Sequence, residues 1–162
     1  VQQGNTYLDR ETMRPHSGPV FGLFPNDTTR VQLSMNLKDG KADGPFETYH
    51  ENGQLSERSN YTAGEIDGPF ETYHENGQLS ERGTYTADEQ DGPYENYYEN
   101  GQLRTKATYK DGEYHGPDET YHENGQLRWK GIYNMGEECG EWIENGETVT
   151  YDPCPPGLEE GN

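Results

Sequence analysis

Three histidines recur at one fixed position of the chain, and histidine is both a common metal ligand and a common acid–base catalyst. His50, His74 and His122 each precede Glu-Asn-Gly, and Tyr98 occupies the same position in a third copy of the pattern. If successive copies are neighbouring hairpins, equivalent residues lie about 9.5 Å apart. One zinc ion holds its histidine nitrogens at about 2.1 Å and cannot bridge that distance. We therefore expect structural rings beside the hairpin leucines, with no metal site and no cofactor.

Glutamates also recur in two periodic rows, and paired carboxylates can perform acid–base catalysis. The rows are Glu47, Glu71, Glu95 and Glu119, and Glu51, Glu75, Glu99 and Glu123. Glycosidase carboxylates converge on a cleft, where burial raises the pKa of one of them. Here the pattern predicts solvated rows, half of whose members face a basic residue. We therefore expect no catalytic site and no enzymatic activity, and a carboxylate-based hydrolase is the least favoured alternative.

The two cysteines, Cys139 and Cys154, match no zinc-binding spacing. Two interpretations stay open. A disulfide between them would fix the C-terminal end in an exported protein, whereas two thiols would be expected in a reducing compartment.

Composition restricts both the core and the partners. Only 27% of the residues are hydrophobic and the mean hydropathy is -1.29, which is too polar for a conventional two-layer core. Thirteen Tyr, four Phe and two Trp must supply the packing instead. The net charge of -19 disfavours binding to nucleic acid or to anionic membranes, because both would repel the chain. A basic protein partner remains open.

A 24-residue repeat organises the chain. Residues 43–58 and 67–82 are identical, DGPFETYHENGQLSER, and related copies begin at 91 and 115. The predicted repeats are 43–66, 67–90, 91–114 and 115–138. Residues 1–16 form a lead-in, 17–42 a degenerate apolar capping repeat with a longer turn around Asn26-Asp27, 139–152 a shortened hairpin about Asn145-Gly146, and 153–162 a disordered tail.

Each copy contains Asn-Gly, a strong signal for a two-residue type I′ hairpin turn. That turn in the first copy predicts that Gly44 faces Tyr61 and Glu47 faces Arg58. It also predicts that Tyr49 faces Ser56 and His50 faces Leu55. The equivalent charge pairs in the later copies are Glu71 with Arg82, Glu95 with Lys106, and Glu119 with Lys130. Glycine would leave a gap that the facing tyrosine covers.

Short turns also separate the copies, at Asp39-Gly40, Ala63-Gly64, Ala87-Asp88, Asp111-Gly112 and Met135-Gly136. They leave no room for crossover connections, so neighbouring strands must run antiparallel. The predicted fold is all-β: a single-layer, elongated antiparallel meander of stacked β-hairpins.

The block Gly-Pro-aromatic-Glu-x-Tyr-x-Glu-Asn-Gly-Gln-Leu, followed by a tyrosine and a turn glycine, resembles the bacterial variant of the MORN repeat over residues 17–151. The resemblance implies an elongated, twisted sheet of stacked hairpins. Bacterial proteins with this variant are often described as antitoxin-like, and many carry secretion or lipoprotein signals. Eukaryotic MORN proteins are regarded as scaffolds. No methyltransferase or kinase segment accompanies the repeats here.

A sheet with one repeated face suits protein binding, because aromatic side chains add contact area at low entropic cost. The predicted contact residues are Tyr49, Tyr73, Tyr97 and Tyr121, with Glu51, Glu75, Glu99 and Glu123 beside them. The alternative is that this tyrosine row only covers the sheet's own backbone.

The function expected from these features is a scaffold that binds a basic protein, of the antitoxin or immunity type. A cell-envelope protein that self-associates through its edge strands is the alternative. The chain begins at Val1 without a methionine or a signal-like segment, so we expect that residues have been removed from its N-terminus. Export to the periplasm or cell envelope, with or without a lipid anchor, is favoured slightly over the cytoplasm.

Overall fold

The computed structural model describes residues 2–3, 6–9 and 12–158, and within these ranges the regular structure is all β. The strands are β1 (Gln2–Gln3), β2 (Thr6–Tyr7), β3 (Gly18–Phe24), β4 (Asp27–Lys38), β5 (Lys41–Tyr49), β6 (Leu55–Thr62), β7 (Glu65–Ile66), β8 (Gly68–Tyr73), β9 (Leu79–Thr86), β10 (Glu89–Gln90), β11 (Gly92–Tyr97), β12 (Leu103–Lys110), β13 (Glu113–Tyr114), β14 (Gly116–Tyr121), β15 (Leu127–Asn134), β16 (Glu137–Glu144) and β17 (Glu147–Thr150).

Apart from the small β1–β2 ribbon, all of these strands belong to one open antiparallel sheet. Its main path runs from β3 through β4, β5, β6, β8, β9, β11, β12, β14 and β15 to β16 and β17. The short strands β7, β10 and β13 pair with β6, β9 and β12, and one residue separates each from the strand that follows it. The predicted antiparallel meander of 24-residue hairpins is confirmed.

The predicted cross-strand register is confirmed over most of each hairpin. Gly44 pairs with Tyr61, and Glu47 pairs with Arg58. The three later charge pairs also lie directly opposite one another: Glu71 and Arg82, Glu95 and Lys106, and Glu119 and Lys130.

The predicted register is wrong next to the Asn-Gly loops. Tyr49 pairs with Leu55, not with Ser56, after a bulge between Thr48 and Tyr49, and the same shift precedes Tyr73, Tyr97 and Tyr121. His50 faces Gln54 instead of Leu55, because its N–H donates to the carbonyl of Gln54 at 2.8 Å. The bulge restores the predicted pairing further from the loop.

These loops are not two-residue type I′ turns. The N–H of Gly53 donates to the carbonyl of His50, and in the Asn52-Gly53 pair only Gly53 has a positive φ, at 86°. This is a type I turn followed by a left-handed glycine, which gives a three-residue hairpin loop. The Asn52 side chain stabilises it by accepting a hydrogen bond from the Gln54 N–H at 2.9 Å.

The double positive φ of a type I′ turn occurs instead at the connecting turns and at the last hairpin. Ala63 and Gly64 have φ of 53° and 99°, and Asn145 and Gly146 have 50° and 86°. The prediction for Asn145-Gly146 is therefore confirmed, with Glu144 opposite Glu147 and Glu141 opposite Thr150.

The strand glycines are required by backbone conformation more than by space. Gly44, Gly68, Gly92 and Gly116 have φ between 104° and 113°. A Cβ on Gly44 would meet its nearest neighbour, an atom of Asn36, at an ordinary 3.7 Å. The facing tyrosine is as predicted, but the left-handed φ is what an L side chain would resist.

We call the side of the sheet that carries Phe46 and Tyr61 face A. Aromatic rings pack along it, with centroids 5.4 Å apart for Phe46 and Tyr61 and 5.5 Å for Phe70 and Tyr85. From the third repeat onward the rings form an unbroken row: Tyr94, Tyr109, Tyr114, Tyr133, Trp142 and Tyr151. Tyr114 joins two repeats, whereas Ile66 and Gln90 occupy the equivalent position in the earlier ones.

The two ends differ from the central repeats. In the cap, Phe24, Met35 and Leu37 are buried, and Phe24 pairs with Asp27 across Pro25-Asn26, so the turn lies one residue earlier than predicted and β4 contains the extra residues as bulges. At the other end a disulfide joins Cys139 to Cys154, with their Cα atoms 4.9 Å apart. This bond fixes part of the segment predicted to be a disordered tail, of which residues 159–162 lie outside the described residues.

Candidate protein-binding surface

The opposite side of the sheet, which we call face B, carries Glu47 and Tyr49. Alternating charges cross it from strand to strand, and we call this row the charge ladder: Glu47, Arg58, Glu71, Arg82, Glu95, Lys106, Glu119 and Lys130. The six inner members therefore face an opposite charge both within their hairpin and across the repeat boundary, whereas Glu47 and Lys130 at the two ends face Ser34 and Ile143 on their outer sides. Only the pairs within hairpins were predictable before the strand order was known.

Side-chain geometry selects among these neighbours. Arg58 contacts Glu47 at 3.2 Å and Lys130 contacts Glu119 at 3.2 Å, both within one hairpin. Arg82 instead contacts Glu95 of the following repeat at 2.5 Å. The ladder thus joins repeats as well as strands, although exposed ion pairs contribute only about 0 to 1 kcal/mol each.

The predicted tyrosine row lies on face B, half-buried beside the charge ladder. Each hydroxyl donates to the glutamate two residues earlier: Tyr49 to Glu47, Tyr73 to Glu71, Tyr97 to Glu95, and Tyr121 to Glu119. The hydrogen bond to Glu119, followed by burial, raises the pKa of Tyr121 to about 12. The tyrosine hydroxyls are therefore already hydrogen-bonded within the protein. The ring surfaces are the part of these side chains that a partner could contact.

The tyrosine–glutamate bonds also affect the carboxylates. The bond from Tyr121 is the main cause that lowers the pKa of Glu119, with Lys130 acting in the same direction. Burial works against ionisation of Glu95, but the bonds from Tyr97 and Arg82 outweigh it and lower its pKa. These contacts therefore favour the charged forms of Glu95 and Glu119.

The second set of predicted glutamates lies at the tips of the Asn-Gly loops. Glu51, Glu75, Glu99 and Glu123 are all exposed. Among the described residues, no ion pair involves any of these four carboxylates. They form a periodic acidic row along one long edge of the sheet, next to the strand ends that carry the tyrosines.

Hydrogen bonds between copies hold these loops together. The Asn52 side chain donates to the carbonyl of Glu75 at 2.6 Å, and Asn76 and Asn100 bond the carbonyls of Glu99 and Glu123 in the same way. In the cap, the guanidinium of Arg30 donates to the carbonyl of Glu51. The loop row therefore has a fixed spacing.

The recurrent histidines belong to the same network. His50 Nε2 donates to the carbonyl of Tyr73 at 2.7 Å, and His74 Nε2 to the carbonyl of Tyr97 at 3.0 Å. The Tyr98 hydroxyl makes the equivalent bond to the carbonyl of Tyr121 at 2.8 Å. The rings connect one repeat to the next, which packing beside a leucine did not predict, and His122, with no equivalent loop after it, is exposed.

Shallow clefts separate the repeats on face B. The larger of the two beside the charge ladder measures about 350 Å³ and is lined by Pro93 and Pro117 together with Lys106 and Glu119. A similar cleft one repeat earlier, of about 260 Å³, contains Pro69, Pro93 and Arg82. Their walls combine apolar proline rings with ladder charges, so they can receive side chains of an extended partner surface.

The residues that the structure describes contain no group of three or more His, Cys, Asp or Glu side chains placed to hold a metal ion. Within the same residues, no helix has the length and apolar character needed to cross a membrane.

One polar pair on face A, Asp118 and Trp129, was not predicted from the sequence. Asp118 occupies the position held by Phe46, Phe70 and Tyr94 in the other repeats, and it is 3% exposed. Burial raises its pKa to about 6. The indole of Trp129 donates to its Oδ1 at 3.0 Å, and Trp129 in turn replaces Glu57 and Glu81. Comparing the copies for paired exchanges of this kind would have found it.

Comparison with known proteins agrees with this architecture. The family model described as a MORN repeat variant matches residues 42–63, 66–87 and 90–111. No curated protein matches the chain. Among solved structures, the GtfA/B complex bound to UDP and GlcNAc matches with a TM-score of 0.27 at 12% identity over 75% of this chain. Accessory secretory protein 1, 2 and 3 of Streptococcus pneumoniae matches with a TM-score of 0.22 at 14% identity over 89%.

Each of these two likenesses covers 22% of the matched chain, and both TM-scores are too low to inform function. The family match is more specific. Its three segments have the period seen in the sequence, and each ends at a connecting turn of the sheet. Residues 42–111 are therefore three MORN repeats of the variant type, and the hairpins on either side of them extend the same sheet.

Proposed function

We propose that this scaffold binds a basic protein through face B and the adjoining loop edge, in the manner of an antitoxin or immunity protein. The contact residues are the half-buried tyrosines Tyr49, Tyr73, Tyr97 and Tyr121 and the exposed loop glutamates Glu51, Glu75, Glu99 and Glu123. The binding is non-enzymatic and requires no cofactor.

The observation that carries this proposal is the periodic row of exposed loop glutamates beside a tyrosine row. The loop carboxylates remain available to cationic groups of a partner, while the strand glutamates Glu47, Glu95 and Glu119 are in ion pairs within the ladder. The hydrogen bonds between Asn-Gly loops hold the acidic row at a fixed spacing before binding. A pre-organised site loses less conformational entropy when its partner binds.

The charge of the repeats favours a basic partner over nucleic acid or an anionic lipid surface. The chain carries a net charge of -19. Such a field accelerates encounter with a cationic protein and repels phosphate groups. Export is the compartment that fits best, because a disulfide between Cys139 and Cys154 persists in oxidising surroundings.

The test is binding of a purified small basic protein encoded beside the gene for this chain, measured by calorimetry at low and high salt. We expect binding that weakens with salt and that weakens further when Glu51, Glu75, Glu99 and Glu123 are all changed to Gln.

The chain contains a matched control at its opposite long edge. Glu65, Glu89, Glu113 and Glu137 are equally periodic and exposed. Changing these four to Gln removes the same charge and should leave most of the affinity. Equal losses from both quadruple variants would reduce the interaction to net charge alone, and absence of binding by the wild-type chain would reject the antitoxin-like function.

A further inference from the structure

The open sheet has two edges that no described strand covers. They are β3 (Gly18–Phe24) at the cap and β17 (Glu147–Thr150) at the C-terminal hairpin. An uncovered edge exposes unpaired N–H and C=O groups, which can pair with a strand of another chain. Proteins usually protect such edges with charges or a covering segment.

The β3 edge has little of the usual protection. In Gly18–Phe24, Pro19 has no N–H to offer a second strand, but the strand contains no charged residue. Two of its large side chains are exposed, Phe21 by 59% and Leu23 by 45%. In a chain with a net charge of -19, an uncharged apolar edge is where a second copy meets the least repulsion.

Charge also differs between the two ends of the sheet. Residues 12–41 carry Arg14, Arg30, Lys38 and Lys41 against Asp27 and Asp39, a formal net charge of +2. Residues 137–152 contain six acidic residues and no basic one: Glu137, Glu138, Glu141, Glu144, Glu147 and Asp152. The cap of one copy is therefore complementary to the C-terminal hairpin of another, whereas two C-terminal hairpins repel.

Strand direction permits this arrangement. The main path contains twelve strands that alternate in direction, so β3 and β17 are antiparallel. If a second copy continues the sheet beyond β17, its β3 lies antiparallel to β17, as every other neighbouring pair does. The turn after β3 and the Asn145-Gly146 turn then fall on the same long edge, which brings Arg30 of the cap to the side where Glu147 lies.

Backbone groups are available on the β17 side. In a two-residue hairpin the flanking residues Glu144 and Glu147 form the hydrogen-bonded pair, and such pairs alternate along the strands. The N–H of Tyr151, four residues after Glu147, donates to the carbonyl of Gly140, as this alternation requires. Thr148 and Thr150 therefore direct their N–H and C=O groups outward.

We propose that the partner of the β3 edge is the β17 edge of a second copy of this chain, so that copies extend one sheet head to tail. The contact is heterologous, and an interface of this kind produces an open assembly unless its rotation closes a ring. It uses the ends of the sheet and leaves face B and the loop glutamates accessible. It therefore does not depend on the proposed binding of a basic protein.

Two variants block the two edges separately. Phe21→Glu with Leu23→Glu adds negative charge to β3 opposite an acidic partner, and both residues are exposed. Thr148→Pro removes one outward N–H from β17 without removing a bond to β16. The matched controls are Leu127→Glu with Met135→Glu, which makes the same charge change away from both edges, and Thr148→Ala, which keeps the N–H.

The experiment is sedimentation velocity on the full chain over a range of protein and salt concentrations, with circular dichroism to verify folding of each variant. We expect the wild type to form concentration-dependent oligomers that weaken as salt is added. Each edge variant should associate at least about tenfold more weakly, and the controls should behave as wild type.

Mixing the two edge variants tests directly whether β3 of one copy pairs with β17 of another. Each keeps one intact edge, so an equimolar mixture should form a dimer that grows no further, although neither variant associates alone. Self-association of the Thr148→Pro protein would show that β3 pairs with β3 and would overturn the proposal. A wild-type chain that stays monomeric at every concentration, or a mixture that fails to form the dimer, would also overturn it.

Discussion

The indole of Trp142 lies directly on the backbone of Gly131. A Cβ at Gly131 would approach ring atoms of Trp142 to 2.0 Å, and the indole is 2% exposed. The equivalent positions hold Ser59, Gly83 and Ala107. A small side chain therefore fits where Phe46, Phe70 or Tyr94 covers the strand. It does not fit at Gly131, where the larger indole of Trp142 covers the strand.

Gly131→Ala should destabilise the protein by about 1 to 3 kcal/mol or more, since the buried indole must move to admit the methyl group. Gly83→Ala is the matched control, because its nearest neighbour is the Gln90 side chain at 3.1 Å and the following repeat already has Ala107 there. Urea unfolding monitored by tryptophan fluorescence measures both. Equal losses would contradict this packing.

Asp118→Asn should stabilise the protein near neutral pH. The folded-state pKa of Asp118 is about 6, above the ordinary value of about 3.9, so between these values the folded protein binds more protons than the unfolded chain. Its contribution to stability is present at low pH and declines as the pH rises through this window. The neighbours that act on it are Trp129, which opposes the rise, and Glu119, which adds to it.

The asparagine variant keeps an acceptor for the Trp129 indole and has no charge to bury. At pH 7 we expect it to gain about 1 to 2 kcal/mol, because each pKa unit corresponds to about 1.36 kcal/mol. Near pH 4 the two proteins should be similar. Thermal unfolding across this pH range checks the prediction, and a gain that does not vary with pH would contradict it.

His74→Ala should cost about 1 kcal/mol, because it removes the hydrogen bond from the ring to the Tyr97 carbonyl in the next repeat. His122→Ala is the control, since that ring is exposed at the end of the series. Hydrogen exchange should show faster exchange around residues 97–99 in the first variant only. Similar effects of both substitutions would mean that the histidines do not connect the repeats.

Replacing both Cys139 and Cys154 with Ser should lower stability by about 3 kcal/mol, the loop-entropy value for a separation of 15 residues. The loss should be local, because the bond ties the chain after β17 to β16. Hydrogen exchange should accelerate in β16 and β17 and remain unchanged in β5 and β6. Reduction of the wild-type protein should reproduce this pattern, and uniform acceleration over the sheet would contradict a local role.

Most of the fold was predictable because one assumed turn specifies all the cross-strand pairs within a repeat. The pairing of Gly44 with Tyr61 and of Glu47 with Arg58 followed from a single assumed turn centre, and the structure has both. The predicted conformation of the Asn-Gly loop was wrong. Asn-Gly is compatible with a two-residue type I′ turn and with a three-residue loop, and the two differ by one residue in register. A compensating bulge after Thr48 makes them identical further along the strands.

The surface was less predictable than the fold. Alternation along the strands places Tyr49 and Glu47 on one face, but it does not reveal that the hydroxyl of one is already bonded to the carboxylate of the other. The ring of His74 bonds a residue 23 positions away, in a neighbouring repeat. Contacts of this kind depend on how repeats stack, which no single copy specifies.

The sequence by itself determined the period, the strand alternation, the antiparallel order and the acidic character of this chain, because these follow from local turn chemistry and residue type. The tertiary structure alone decided that Arg82 contacts Glu95 rather than Glu71, that the loop asparagines and histidines connect successive repeats, and that β3 and β17 remain open edges. The physical reason is that a hairpin selects its own partners through chain connectivity, whereas contacts between hairpins exist only after the sheet has been assembled.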